Sequence, residues 1–190
     1  MTTDLPVGRA FLAVHPPEEV LEAVAGSVAS ARESRAGPRW VGREQWHLTV
    51  QFLGRVASLA PVVDGLAALS AFPAFTLRLG GGGAFPNARR ARVIWIGATA
   101  GGERLAEVAG VVAGILGPLG YEADQFRPHL TVARLRVPGD VSSALAALGR
   151  DPVGPDFRVE EVILSESRLS PRGPTYTALA RFPLRLTENA

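Results

Sequence analysis

The sequence predicts an α+β fold of two lobes related by an approximate twofold axis, and three observations carry that expectation. The tetrapeptide HLTV occurs twice, at His47–Val50 and His129–Val132, in a chain with only three histidines. An arginine-led apolar run of strand type precedes each copy, RAFLAV from Arg9 and RVIWIG from Arg92, by 47 − 9 = 38 and 129 − 92 = 37 residues. Helix-like stretches lie between, so a unit of strand, helix and histidine strand is used twice, as an internal duplication would leave it. Strand-rich and helix-rich pieces are interleaved, yet crossover helices do not follow every strand, which favours α+β over a doubly wound sheet.

Each element follows from local pattern. RAFLAV reads as the first strand, and PPEEVLEAVAGSVASARESR as a helix opened by Pro16 and Pro17 with acids in its first turn. REQWHLTVQFLG carries the first histidine strand, SLAPVVDGLAALS a helix and FTLRL a strand. The glycines of GGGGAFPN, Gly80–Gly83, lack the Gly-Lys of a phosphate loop and read as a flexible connector into Phe85 and Pro86. The second unit is RVIWIG, the helix GGERLAEVAGVVAGILGPLG, and the histidine strand FRPHLTVAR. DVSSALAALG is a further helix, and FRVEEVILSESRL and YTALARFPL are strands or strand pairs. With no low-complexity tail and no linker, residues 1–190 are expected to form one two-lobed domain.

Composition sets the limits on function. At 190 residues and 47% hydrophobic, the chain can bury a core without staples. It has no cysteine, which removes disulfides and thiolate chemistry. No run of 18 apolar residues is present and the opening MTTDLPVGRA lacks a signal-peptide pattern, so a cytoplasmic protein without membrane association is expected. The net charge is only +2, but all 20 basic residues are arginine, whose planar fork suits phosphate. Without lysine there is no Walker lysine, no Schiff base and no lysyl-nucleotide intermediate.

The chemistry comes from alternation. Residues two apart in a strand share a face, so His47 with Thr49 and His129 with Thr131 face away from Leu48, Val50, Leu130 and Val132. An imidazole whose ordinary pKa is near 6.5 can serve as base in one copy and acid in the other, which phosphoester hydrolysis needs at its two opposite oxygens. The hydroxyls can donate to the non-bridging oxygens. One HxT alone would read as a strand threonine beside a satisfied core histidine; two in matched contexts favour the catalytic reading. For a metal, the only flanking carboxylates are Glu44 and Asp124, neither at a ligand spacing, so no metal is expected. His15, outside both repeats, reads as a surface or capping residue.

These words, 129 − 47 = 82 residues apart, resemble the signature of the two-histidine phosphoesterases. The flanking text RWVGREQWHLTVQFLG, GAFPNARRARVIWIG, FRPHLTVAR and LSESRLSPRGPTYTALARFPL is similar to the branch called RNA 2′,3′-cyclic phosphodiesterase, or 2′-5′ RNA ligase. The resemblance implies two pseudo-symmetric lobes, each an antiparallel sheet with outer helices, and an active-site cleft between them. It implies that His47 protonates the departing ribose O3′, His129 activates water, Arg134 grips phosphate and Phe52 stacks on the terminal base, leaving a 2′-phosphate, with reversible 2′-5′ ligation as the back reaction. RNA ends or small oligonucleotides would be the substrate of a monomeric enzyme, and no metal or nucleotide cofactor is implied. Readings from other classes are an enzyme for small cyclic nucleotides or 2′-5′ oligonucleotides, and a non-catalytic RNA-binding module.

Parity raises an objection. Phe52 and Arg134 lie five residues beyond their histidines, where strict alternation turns them inward. Phe52 then reads equally as a core aromatic or as a stacking face, whereas an unpaired buried arginine is costly, so a bulge or a strand end is expected to return Arg134 to the cleft, and the same offset in both copies favours a shared bulge. Arg127 shares the parity of His129 and is a candidate for substrate contact or a solvated edge charge. Arg9 and Arg92 are weaker phosphate candidates, and for Tyr176 and Ser167 packing and substrate contact stand as equal readings.

Overall fold

The computed structural model describes residues 6–34, 37–170 and 173–186. Strand β1 (Val7–Val14) leads into helix α1 (Glu18–Ser34), and the short β2 (Arg39–Trp40) precedes β3 (Leu48–Val56) and α2 (Ala60–Leu66). The chain then forms β4 (Phe75–Phe85), β5 (Ala91–Ala100), α3 (Gly102–Leu116), β6 (Leu130–Gly139), α4 (Ser142–Leu148), β7 (Pro152–Val159), β8 (Glu161–Ser170) and β9 (Gly173–Pro183). In α1 the buried Val20, Val24, Val28 and Ala31 form one stripe, and in α3 Leu105, Val108, Ala109, Val112 and Leu116 do the same. Among the described residues, no helix is long and apolar enough to cross a membrane.

The strands form one antiparallel sheet in the order β7-β4-β5-β6-β3-β1-β8-β9, with β2 also on the edge of β6. Four strands lie on either side of the β3–β6 junction, in matching order outward from it. That junction is a single pair, Leu48 with Leu130, after which the strands part and β2 takes the edge of β6 at Ala133 and Arg134. Leu48 and Leu130 are both fully buried in the same cluster as the inner faces of the helices. The opposite face of the junction carries the histidines.

The helices tie the lobes together. α1 follows β1 yet packs against β7 and α4, on the far half of the sheet; α3 follows β5 yet packs against β3 and α2. Each long helix therefore covers the other lobe, and one core cluster runs through both. Opening the junction would mean stripping both helices from their sheets, which holds the two histidine strands at fixed separation.

Two expectations are corrected. The four glycines are not a connector but the interior of β4. A Cβ at Gly80 would stand 2.6 Å from the Asp151 carbonyl oxygen, one at Gly82 2.7 Å from the Leu148 Cβ, and one at Gly83 2.1 Å from the Trp95 ring. The run is needed for close approach, not for flexibility. The arginine-led runs also do not match arginine to arginine. Leu12 pairs with Gln51 and Ile94 with Ala133, each partner four residues after its histidine, so Leu12 corresponds to Ile94 and Arg9 to Ala91. The one-residue difference between 38 and 37 is this offset.

Candidate active site

The register of the single junction pair builds the site. Leu48 opposite Leu130 puts the residues on either side of that pair, His47 and Thr49 from β3 and His129 and Thr131 from β6, around one point, and the charge of His129 is felt at His47. Two imidazoles and two hydroxyls thus stand around the junction on its open face.

Both rings are oriented in the same way. The His47 Nδ1–H donates to the Gln45 carbonyl oxygen at 2.8 Å, and the His129 Nδ1–H donates to the Arg127 carbonyl oxygen at 2.7 Å. A carbonyl can only accept, so Nδ1 carries a proton in each ring and Nε2 faces the cleft with a lone pair when the ring is neutral. The same two-residue backward contact occurs in both lobes.

A shared bulge returns the flanking residues to this face. In β3 the partners step from Ala13–Thr49 to Leu12–Gln51, skipping Val50; in β6 they step from Trp95–Thr131 to Ile94–Ala133, skipping Val132. Val50 with Gln51, and Val132 with Ala133, are consequently buried in succession. Beyond the bulge Phe52 is 62% exposed and Arg134 is exposed. Phe52 is therefore not a core aromatic; its ring lies 6.3 Å from that of Phe11, which in turn lies 4.8 Å from His47.

Aromatic walls flank each imidazole. Tyr176 of β9 meets His47 edge-on at 5.1 Å, and Phe85 meets His129 edge-on at 5.0 Å with Trp95 at 6.3 Å. Arg127 is exposed, its guanidinium 5.8 Å from the Phe85 ring centre. Gly83 lets Trp95 lie flat across β4, so the glycine run supports the wall behind His129. Tyr176 thus lines the site, while Ser167 is its partner in the β8–β9 hairpin. Arg92 has the parity of the core residues Ile94 and Ile96, away from the histidine face, and Arg9 stands five residues before Val14, the partner of Leu48; neither is brought to the histidines.

His15 is the residue that sequence reasoning missed. It is exposed, as a surface residue should be, but its ring lies 5.8 Å from His47 because the Val14–Leu48 pair puts the end of β1 beside the start of β3. Burial lowers the His47 pKa most, followed by the charge of His15; Arg134 and His129 lower it further against the raising effect of the Gln45 carbonyl, leaving it at about 4. Burial also lowers His129, with the Arg127 carbonyl opposing and Arg134 assisting. Burial raises Tyr176, with Arg134 opposing. At neutral pH both imidazoles are neutral in the free protein, and His47 is the harder to protonate. His15→Asn removes a positive neighbour, so the His47 ring pKa is expected to rise, read by NMR titration of the imidazole; an unchanged titration would deny His15 that influence.

Among the described residues no three His, Cys, Asp or Glu side chains converge as a metal-ligand set. An antiparallel sheet parted at one pair, with an imidazole and a hydroxyl from each lobe on the open face, is the fold of a two-histidine phosphoesterase. The family model described as the 2′-5′ RNA ligase superfamily matches residues 16–170. A Thermus thermophilus protein named RNA 2′,3′-cyclic phosphodiesterase is 38% identical over 191 residues, covering 93% of this chain and 90% of that protein. One of the same name from Archaeoglobus fulgidus is 33% identical over 178 residues, covering 92% and 99%. A solved structure of a Thermus thermophilus protein superposes with TM-score 0.79 at 31% identity over 95% of this chain and all of that one. The chain belongs to the 2′-5′ RNA ligase superfamily.

Proposed function

We propose that this protein is an RNA 2′,3′-cyclic phosphodiesterase that opens the terminal cyclic phosphate to a 2′-phosphate without a metal. The observation that carries the reading is the pair of Nδ1-anchored imidazoles flanking the Leu48–Leu130 pair at which the two lobes meet. The names of the relatives support the activity class. In the step proposed, the His129 Nε2 takes a proton from water, whose oxygen bonds to phosphorus as the P–O3′ bond breaks. The His47 Nε2–H gives its proton to O3′, and the two imidazoles reset by exchange with solvent. Thr49 and Thr131 donate to the non-bridging oxygens, and Arg134 grips them with its fork. Phe52 offers a face for the terminal base, and Arg127 adds positive charge at the rim.

The free protein favours His129 over His47 as the protonated ring, whereas the assigned roles put the proton on His47. A phosphate monoanion between the rings raises both pKa values, so the active form is built on substrate binding. The rate is expected to be bell-shaped in pH. A single internal duplication, a monomeric state and a cytoplasmic setting complete the proposal, supported by the matched strand order on either side of the junction and by the nature of the substrate. Joining to an RNA 5′-hydroxyl would be the same chemistry with another nucleophile in place of water, and hydrolysis is expected to dominate because water is present at about 55 M and a competing hydroxyl would need a high effective molarity to match it. The test is a short RNA ending in a 2′,3′-cyclic phosphate, incubated with EDTA. Release of a 2′-phosphate at undiminished rate is expected; a 3′-phosphate product or loss of activity with EDTA would overturn the mechanism.

A further inference from the structure

A groove of about 370 Å³ leaves the site along β6, lined by Gly37, Arg39, Arg134, Arg136, Val137 and Gly139 among others. Arg134 belongs both to this groove and to the site, since its charge reaches His47, His129 and Tyr176. Past the Val132 bulge the β5–β6 register shifts again between Arg134 and Gly139, and Arg134 and Arg136 both line the groove along this irregular stretch. Strand β2 sets Arg39 directly opposite Arg134. The Arg39 guanidinium closes on the start of β9, where a Cβ on Gly173 would stand 3.2 Å from its Nη2.

The charge of this groove is uncompensated. Among the described residues Arg39, Arg134 and Arg136 form no ion pair with a carboxylate, which they share with most of the arginines; what sets them apart is that all three line one concavity. No acid lines the groove, and Asp140, just beyond its end, accepts from the Ser142 backbone N–H at the start of α4. Three guanidiniums converging on one concavity repel one another unless an anion joins them, and the fork geometry selects phosphate among anions. One phosphate between the histidines occupies Arg134. Arg39 and Arg136 exceed what a lone cyclic phosphate requires.

We propose that Arg39 and Arg136 form a second phosphate site that receives the phosphate on the 5′ oxygen of the terminal nucleotide, which in an RNA end is the last internucleotide phosphodiester. The inference rests on the cyclic phosphodiesterase reading and sharpens it: the groove selects polynucleotide ends over free nucleoside cyclic phosphates.

The test compares wild type with Arg136→Ala, Arg136→Gln and the Arg39→Ala/Arg136→Ala double variant on three substrates. These are a nucleoside 2′,3′-cyclic phosphate, the same compound bearing a 5′-phosphate, and a short RNA ending in a cyclic phosphate. For the last two, KM is expected to rise about tenfold for each arginine removed, with kcat retained. The slope of log KM against log salt for the RNA should fall by about 0.7 per arginine lost. Turnover of the nucleoside compound should not change, which also reports that the variants are folded. Equal losses on all three substrates would mean that the groove serves the fold or the catalytic centre. No loss on any would mean that the groove is not used, and either result overturns the proposal. Wild-type protein that opens none of the three would instead overturn the parent reading, and with it this one.

Discussion

His47→Ala and His129→Ala are each expected to lower kcat by about 10²- to 10⁴-fold, the usual worth of a positioned acid or base. The melting temperature should fall by no more than a few degrees. Neither ring belongs to the core cluster, and each substitution removes one ring-to-carbonyl hydrogen bond, worth about 1 kcal/mol and so roughly 2–4 °C in a chain of this size. Thermal denaturation checks this alongside steady-state turnover, and a large melting loss with little loss of activity would make the histidines structural. The two variants should part on a substrate in which sulfur replaces O3′. A thiolate leaves without a proton, so the variant lacking the acid should recover on it and the variant lacking the base should not. Recovery of His47→Ala supports the assigned roles. Recovery of His129→Ala would reverse them, in agreement with the order of proton affinity in the free protein.

What could be read from the sequence is what depends on neighbours in the chain. The face shared by His47 and Thr49 needs only a period of two, and the stripe of α1 only a period of 3.6. The bulge at Val132 was legible because a buried unpaired arginine at position 134 is too costly, and the matched spacing carried the same argument to Val50. Where the argument had no such penalty to use, it left the placement open or missed it. Phe52 is comfortable inside or outside, so its exposure had to be seen. The nearness of His15 to His47 depends on the Val14–Leu48 pairing between segments over thirty residues apart. The role of Gly83 depends on a tryptophan laid over it from the next strand. The exchange of α1 and α3 between lobes leaves no local trace, since each helix shows the same apolar stripe whichever sheet it covers.

Arg134→Lys is expected to cost about 10- to 10²-fold in kcat, and Arg134→Ala about 10²- to 10³-fold, as for loss of a preorganised donor to a developing oxyanion. The ammonium keeps the charge but loses the fork, and with it the second of two parallel hydrogen bonds to phosphate. If contact tightens as charge builds on the non-bridging oxygens, the loss falls on kcat more than on KM. A second readout separates this role from mere packing. The Arg134 guanidinium lowers the pKa of both His47 and His129, so its removal in Arg134→Ala should raise both imidazole pKa values in the free protein, while Arg134→Lys should leave them nearly in place. The sign follows from like charge: a cation beside an imidazole disfavours the imidazolium, and deleting it restores proton affinity. NMR titration of the rings checks the shift and steady-state kinetics the loss. Full activity in Arg134→Lys would show that the fork is not used, and unmoved imidazole pKa values in Arg134→Ala would place the side chain away from the histidines. An upward shift together with lost turnover is the combination that only a phosphate ligand facing both rings produces, because a side chain that merely packs the edge of β6 would change stability without moving either titration.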